Sequence, residues 1–244
     1  MPAEAPTILA TSGGFRRGPR GLEFSPLLRH GLDLAGRPGA DRRSRVTYLG
    51  TAGGDQRSAA AEVHAAGARA GVEVTVLDLF PMPSVDDVAA TLLGSDLVWV
   101  GGGSVANLLA VWRVHDLPGH LRAAWEAGVV LGGVSAGSIC WFRGGTTDSY
   151  GPELRPVTDA LAFLPYGNGV HYDSESRRRP LVHRLVAEQV LPTTHCTDDG
   201  VGLVYRGTEL VEAVSDVAGA GAYVVERGAD GRAAERRLAV RRLG

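Results

Sequence analysis

Short runs of apolar, mostly β-branched residues recur along the first half of the chain, separated by alanine-rich amphipathic stretches. Thr7 to Thr11 (TILAT), Arg45 to Leu49 (RVTYL), Val72 to Leu79 (VEVTVLDL), Asp96 to Val100 (DLVWV) and Val129 to Val134 (VVLGGV) read as strands. Gln56 to Ala70, Val105 to Arg113 and Pro118 to Ala127 carry helical spacing. Strands that are apolar throughout, alternating with helices, predict an α/β fold: a mostly parallel sheet flanked by helices on both faces. The last third reads differently. Val201 to Tyr205, Glu209 to Val214 and Ala222 to Glu226 are short apolar runs with only turns between them, which predicts a short antiparallel C-terminal extension. With no internal repeat and no low-complexity linker, residues 1–244 read as one domain, long enough to bury a sizeable core.

Four of the first five strands end in small or glycine-rich turns, among them Ser12-Gly13-Gly14, Gly53-Gly54 and Gly101-Gly102-Gly103. Ligands of open α/β sheets bind outside the carboxyl ends of the strands, so the site is expected on that edge. Gly53-Gly54 by itself needs no more than a tight strand-to-helix turn. None of these loops matches G-x-G-x-x-G with a suitable acidic residue, which argues against a dinucleotide site.

Composition narrows the chemistry. All 25 basic residues are arginine, and the absence of lysine removes Schiff-base chemistry and the P-loop phosphate lysine. A net charge of −2 gives no reason to expect nucleic acid or an anionic membrane as partner. Cys140 and Cys196 cannot build a disulfide framework or a four-thiolate zinc site, and read as two buried thiols. The N-terminal MPAEAPTILATSGG lacks the pattern of a secretory signal, and no stretch approaches about 20 apolar residues. A cytoplasmic protein is expected. The arginine clusters 16–20 and 177–179 read as solvated, loop-like surface.

Gly133-Val134-Ser135-Ala136-Gly137 follows an apolar run and precedes the helix-compatible SICWF. Strand, G-x-S-x-G and helix in that order form a nucleophile elbow: a sharp, strained turn that lifts the serine oxygen above the sheet edge. The Ala136 N–H is placed to act as one oxyanion donor. Gly102 and Gly103 follow what reads as the adjacent strand and let backbone approach a substrate carbonyl, while Ser104 caps the next helix. A serine nucleophile needs a base. His64 falls inside a helical pattern, His115 and His120 flank a Pro-Gly pair, and His183 lies in a helix from Pro180 to Glu188. His171, in GNGVHYDSE, and His195, in PTTHCTDDG, remain as two open choices.

GGVSAGSICWF, preceded by VGGGSVANLLAVWR and followed by TTDS and VHYDSE, resembles peptidase E and its relatives, which include the cyanophycinases. The resemblance runs from ATSGGF to DDGVGLVYRG and so covers most of the chain. It implies a class I glutamine amidotransferase-like fold with serine at the cysteine position, Ser135 as nucleophile and His171 as base. Its acid falls on Asp199 in TDDG or Asp148 in TTDS, with Asp199 preferred because it begins a strand and Asp198 still open. Asp173 alternates to the other face of an extended chain and is left as a structural or substrate-side group. The implied reaction is acyl transfer by a Ser-His-acid triad, with no metal or organic cofactor and a small peptide as partner. Cleavage of Asp-X dipeptides calls for a bidentate arginine, for which Arg143, Arg177, Arg178 and Arg179 are available. HYDSESRRRP departs from the peptidase E stretch at this point, which leaves a cyanophycinase-like β-aspartyl peptidase or an esterase as alternatives. A non-catalytic binding or sensor protein on the same fold is the alternative of another class. A homodimer is left open.

Overall fold

The computed structural model describes residues 3–36 and 42–244. Strand β1 (Thr7–Thr11) leads into a hairpin of β2 (Phe15–Gly18) and β3 (Gly21–Phe24), then α1 (Pro26–Leu34) and β4 (Arg45–Leu49). After a 3-10 turn at Thr51–Gly53 come α2 (Arg57–Ala70), β5 (Glu73–Val76), α3 (Val88–Leu93), β6 (Leu97–Val100) and α4 (Val105–Val114). Helix α5 (Leu117–Glu126), β7 (Val130–Val134) and the single turn α6 (Ala136–Ile139) complete the first half. The second half holds β8 (Gly144–Thr147), β9 (Arg155–Val157), β10 (Gly167–Gly169), α7 (Arg178–Ala187) and β11 (Thr194–Thr197). It ends with β12 (Val201–Arg206), β13 (Glu209–Ser215), β14 (Ala222–Arg227), β15 (Ala233–Arg237) and β16 (Arg241–Arg242).

Eight strands form the larger sheet, in the order β16-β13-β12-β1-β7-β6-β4-β5. The five from β1 to β5 in that order are parallel, and β12 and β13 join antiparallel beyond β1. Alternation along the strands divides the core. Ile8, Ala10, Val98 and Val100 face one side with Leu108, Trp112 and Leu121 of α4 and α5, while Leu9, Leu97 and Trp99 face the other with Leu27 and Leu28 of α1. Each fully buried Leu or Val stabilises the fold by about 1.5–3 kcal/mol relative to exposure. Helices therefore cover both faces, as the all-apolar strands require.

A second sheet of six strands, β15-β14-β11-β10-β8-β9, has β8, β10 and β11 parallel at its centre. Val157, Val170 and Ala222 from this half share one buried cluster with Ile8, Leu131 and Leu203 of the larger sheet. The antiparallel extension expected at the C-terminus is thus divided: β12 and β13 extend the larger sheet, and β14 belongs to the second. The strand expected over residues 72–79 is shorter, because β5 is the sheet edge and pairs only with β4. Pro118-Gly119 lies in the first turn of α5, close to the expected start of that helix, with proline at an opening position that needs no hydrogen-bonded N–H. Arg16 and Arg17 are not in a loop but on the β2–β3 hairpin, facing Glu23 and Glu62 at 3.5 and 3.3 Å. Arg178 and Arg179 open α7. Among the described residues, no helix is long and apolar enough to cross a membrane.

Candidate active site

Ser135 sits between β7 and α6 with φ 59° and ψ −115°, a conformation that a residue bearing a Cβ avoids. Its neighbours explain how the chain turns there. A Cβ on Gly137 would collide with Val100 O, and one on Gly133 would collide with Gly137 O and lie 2.8 Å from Val100 O. The two glycines let α6 press against β6 and β7, so the serine is lifted clear of the sheet. The Ala136 N–H, at the first helical position, has no acceptor within the helix.

Exposed Gly102 packs directly against the serine: a Cβ there would lie 3.3 Å from Ser135 Cβ and 3.9 Å from Ser135 Oγ. Gly103 has φ 138°, and a Cβ on it would collide with Ala52 O. Any side chain at either position would crowd the serine or the β4–α2 loop. Ser104 caps α4 through the Asn107 N–H at 3.2 Å, so capping and exposure of this glycine pair coexist.

His171 follows β10 and Asp199 follows β11, both at the carboxyl edge of the second sheet. Asp199 Oδ1 is hydrogen-bonded to His171 Nδ1. Both side chains are partly open to solvent. The end of β1 ties this edge to the nucleophile turn. Thr11 O accepts the Ser135 N–H at 3.1 Å, Ser12 Oγ accepts the His171 N–H at 3.1 Å, and Ser12 O accepts the Gly200 N–H at 3.0 Å. Among the described residues, no hydrogen bond joins Ser135 Oγ to His171. Asp173 Oδ1 accepts the Asp199 N–H at 2.9 Å, which gives it a structural place behind the acid. Ser12 and Thr197 carry no motif, and sequence reasoning missed both; only the Ser-Gly-Gly turn after β1 hinted at the first.

The other candidates lie elsewhere. His195 is inside β11 and buried, with Nδ1 2.6 Å from Tyr205 Oη and its ring 4.3 Å from that of Tyr166. Asp198 is buried and turned toward β14, where its Oδ2 accepts from Gly221 N–H at 2.8 Å and Tyr223 O–H at 3.2 Å. Burial pushes that carboxyl up. Asp148 is exposed in the turn after β8, its backbone carbonyl accepting the Gly151 N–H at 3.1 Å.

The arginines separate as well. Arg143 precedes β8, which runs parallel to β10, and its N–H bonds Tyr166 O at the amino edge of the sheet. At about 3.3 Å per residue the strand carries it away from His171, into a separate cavity with Gln189, Thr193 and Glu226. Its expected contact with substrate at Ser135 is therefore corrected. Arg177 is held by Glu175 at 3.0 and 3.1 Å, and this pairing lowers the Glu175 carboxyl to about 2. Arg179 pairs with Glu235 and lies over the rings of Tyr172 and Tyr223. Arg178 differs. It is 6% exposed, donates from Nη1 to Thr146 O at 2.6 Å, and leaves its Nε without a partner. Among the described residues no carboxylate pairs with it, although Asp148, Glu175 and Asp199 lie near enough to act on its charge.

The placement of His195 has a measurable consequence. Burial, and then the charge of Arg236, lowers its imidazole from 6.5 to about 4. Between those values the unfolded chain binds a proton that the folded chain does not, so stability falls as the pH drops through that window. The loss reaches about 3 kcal/mol at the acid end. Urea unfolding from pH 7 to 4.5 is expected to show this slope, and His195→Gln to flatten it. Equal slopes in the two proteins would remove His195 as the cause.

Comparison with known proteins identifies the family and the fold. The family model described as peptidase family S51 matches residues 9–213. The Bacillus subtilis (strain 168) protein called uncharacterized peptidase YgaJ is 36% identical over 237 residues, covering 97% of this chain and 98% of that one. A crystal structure of a peptidase from an acI-B1 Actinobacterium superposes with a TM-score of 0.66 at 15% identity, covering 97% of this chain and 95% of the other. A provisionally named peptidase E protein from Listeria monocytogenes EGD-e does so with 0.57 at 16% identity, covering 96% and 98%. These two likenesses concern the fold alone. With the model spanning most of the sequence and a curated peptidase relative matching nearly end to end, the chain belongs to peptidase family S51.

Proposed function

We propose that this S51 protein is a serine peptidase that hydrolyses small peptides, with Asp-X dipeptides as its substrates. The observation that carries the reading is the strained Ser135 turn, with exposed Gly102 against it and the His171–Asp199 pair tied to the same strand end. His171 takes the Ser135 proton as the hydroxyl attacks the scissile carbonyl. The N–H groups of Ala136 and of the Gly102-Gly103 segment receive the developing oxyanion. His171 then protonates the leaving amine, and water, deprotonated by the same ring, releases the acyl group. Asp199 holds the ring by Nδ1, which leaves Nε2 for the serine. Catalytic hydrogen bonds often tighten only when substrate closes the site, and the Ser135–His171 bond is expected to form at that point.

Arg178 supports the aspartyl preference. Arg177 and Arg179 are occupied by Glu175 and Glu235, which leaves the buried, carboxylate-free Arg178 as the cation for an acidic substrate side chain. In this reading the enzyme is cytoplasmic and works without metal or organic cofactor. A panel of Asp-X, Glu-X, isoAsp-X and neutral dipeptides tests it, with Asp-X expected to give the highest kcat/KM. A clear preference for isoAsp-X would move the enzyme to the β-aspartyl class, and for neutral dipeptides would remove Arg178 from recognition. Hydrolysis of none, with no labelling by a fluorophosphonate, would favour a binding or sensor protein.

A further inference from the structure

We propose that Ser12 is a positioning residue for the base: its hydroxyl locks His171 in a left-handed backbone conformation that aims the imidazole between Ser135 and Asp199. The inference rests on the serine-peptidase reading and adds to it a residue outside the triad. His171 has φ 52°, which few residues other than glycine and asparagine adopt, so the surroundings must hold it there. Two bonds do so. The His171 N–H donates to Ser12 Oγ at 3.1 Å, and the His171 carbonyl accepts the Glu175 N–H at 3.0 Å. The second is a local turn contact. The first crosses 159 residues of sequence and is the one that fixes the base relative to the larger sheet.

Ser12 is itself rigid. It is 4% exposed, and its Oγ lies 2.7 Å from Thr197 Oγ1 and 3.2 Å from Thr197 O. Thr197 O also accepts the Tyr172 N–H at 3.0 Å, so the residue after the base is held from the same point. The Ser12 N–H donates to Val201 O at 2.8 Å while Ser12 O accepts from the Gly200 N–H, and these are the two residues directly after the acid. Thr11, the preceding residue, holds the Ser135 N–H. One dipeptide at the end of β1 therefore sets the backbone positions of nucleophile, base and acid. Without the Ser12 hydroxyl, the His171 N–H has no acceptor, and nothing from the larger sheet opposes relaxation of its φ to ordinary values. That relaxation turns the Cα–Cβ bond and takes the ring off line.

A displacement of about 1 Å costs about 100-fold in rate, whereas substrate contacts are untouched. Ser12→Ala is expected to lower kcat about 100-fold on the best dipeptide of the panel with KM changed less than about threefold. It should also abolish the downfield proton resonance of the His171 Nδ1–H bonded to Asp199. Ser95→Ala is the control for a merely structural loss. It removes an equally short buried bond, 2.7 Å to Thr47, at the far end of β6, and should lower Tm while leaving kcat and the resonance in place. Should alanine at position 12 fail to fold, Ser12→Cys, nearly isosteric and a weak acceptor, is expected to show the same loss of kcat at unchanged KM. A folded Ser12 variant with wild-type kcat and an intact resonance would overturn the proposal, as would a loss no larger than that of Ser95→Ala. Ser135→Ala separates the two layers. If it abolishes hydrolysis while folded Ser12→Ala keeps wild-type kcat, positioning alone is wrong; if it leaves hydrolysis intact, the serine-peptidase reading fails and takes the role of Ser12 with it.

Discussion

Ser135→Ala is expected to lower kcat on the preferred dipeptide by roughly 10⁴- to 10⁶-fold and to abolish labelling by a fluorophosphonate. The size of the effect follows from its place in the mechanism. Without the hydroxyl no acyl-enzyme forms, and only binding and oxyanion stabilisation remain to accelerate attack by water. The same residue predicts a change of opposite sign in stability. Serine and alanine suffer equally at φ 59° and ψ −115°, but glycine does not. Ser135→Gly should therefore be as inactive as Ser135→Ala yet more stable than either, by about 1–2 kcal/mol of released strain. For a chain of this length that is a rise in Tm of a few degrees. Thermal unfolding of the three proteins, beside their dipeptidase rates, checks both halves. A glycine variant less stable than wild type would mean that the turn is not strained, and full activity in Ser135→Ala would move the nucleophile elsewhere.

The parts of this site that a reader of the sequence can find are those built from neighbours in the chain. β1, β6 and β7 are built from apolar residues, glycine and threonine and are each followed by glycine or serine, so strand, edge and elbow follow from local pattern. The second sheet has no such pattern. β8 is Gly-Gly-Thr-Thr and β10 is Gly-Asn-Gly, sequences that strand propensity disfavours. They are strands because the glycines allow a closer approach than a side chain permits. A Cβ on Gly144 would collide with Val157 O, one on Gly145 with Asn168 O, and one on Gly167 with Thr194 Oγ1. Long-range contact selects the residue there, and it cannot be read from a window of ten. The position of Arg143 is hidden from local reading for the same reason. It lies eight residues after the nucleophile in sequence, but β8 begins beside it and runs to the opposite edge of the sheet. His195 and His171 look alike in sequence, both in polar, loop-like surroundings. Pairing of β11 with β14 buries the first against Tyr205, and the left-handed turn after β10 leaves the second at the edge. Ser12 is the extreme case, since its partner is 159 residues away.

The acid is where local reading left the most open, and where substitution should discriminate most sharply. An orienting carboxylate fixes the tautomer of the base and stabilises the imidazolium, so it must reach the ring nitrogen that does not face serine. Asp199 does so at Nδ1, with its own backbone held by Asp173 and by the Ser12–Gly200 bond. Asp198, one residue earlier, points across to Gly221 and Tyr223, because successive side chains of an extended segment take opposite sides. Asp148 is solvent-exposed, and its backbone rather than its carboxylate closes the local turn. Asp199→Asn presents an amide of the same shape that favours the wrong tautomer, and should lower kcat/KM by about 10⁴-fold with little loss of stability. Asp148→Asn should change neither by more than a small factor. Asp198→Asn should behave in the contrary way to Asp199→Asn, losing Tm through its buried contacts to β14 while the folded fraction keeps most of its turnover. Three variants measured for kcat/KM and Tm thus give three distinct signatures. Inactivity of well-folded Asp148→Asn beside an active Asp199→Asn would move the acid to the turn after β8, and the His171–Asp199 bond would then serve only to hold the loop.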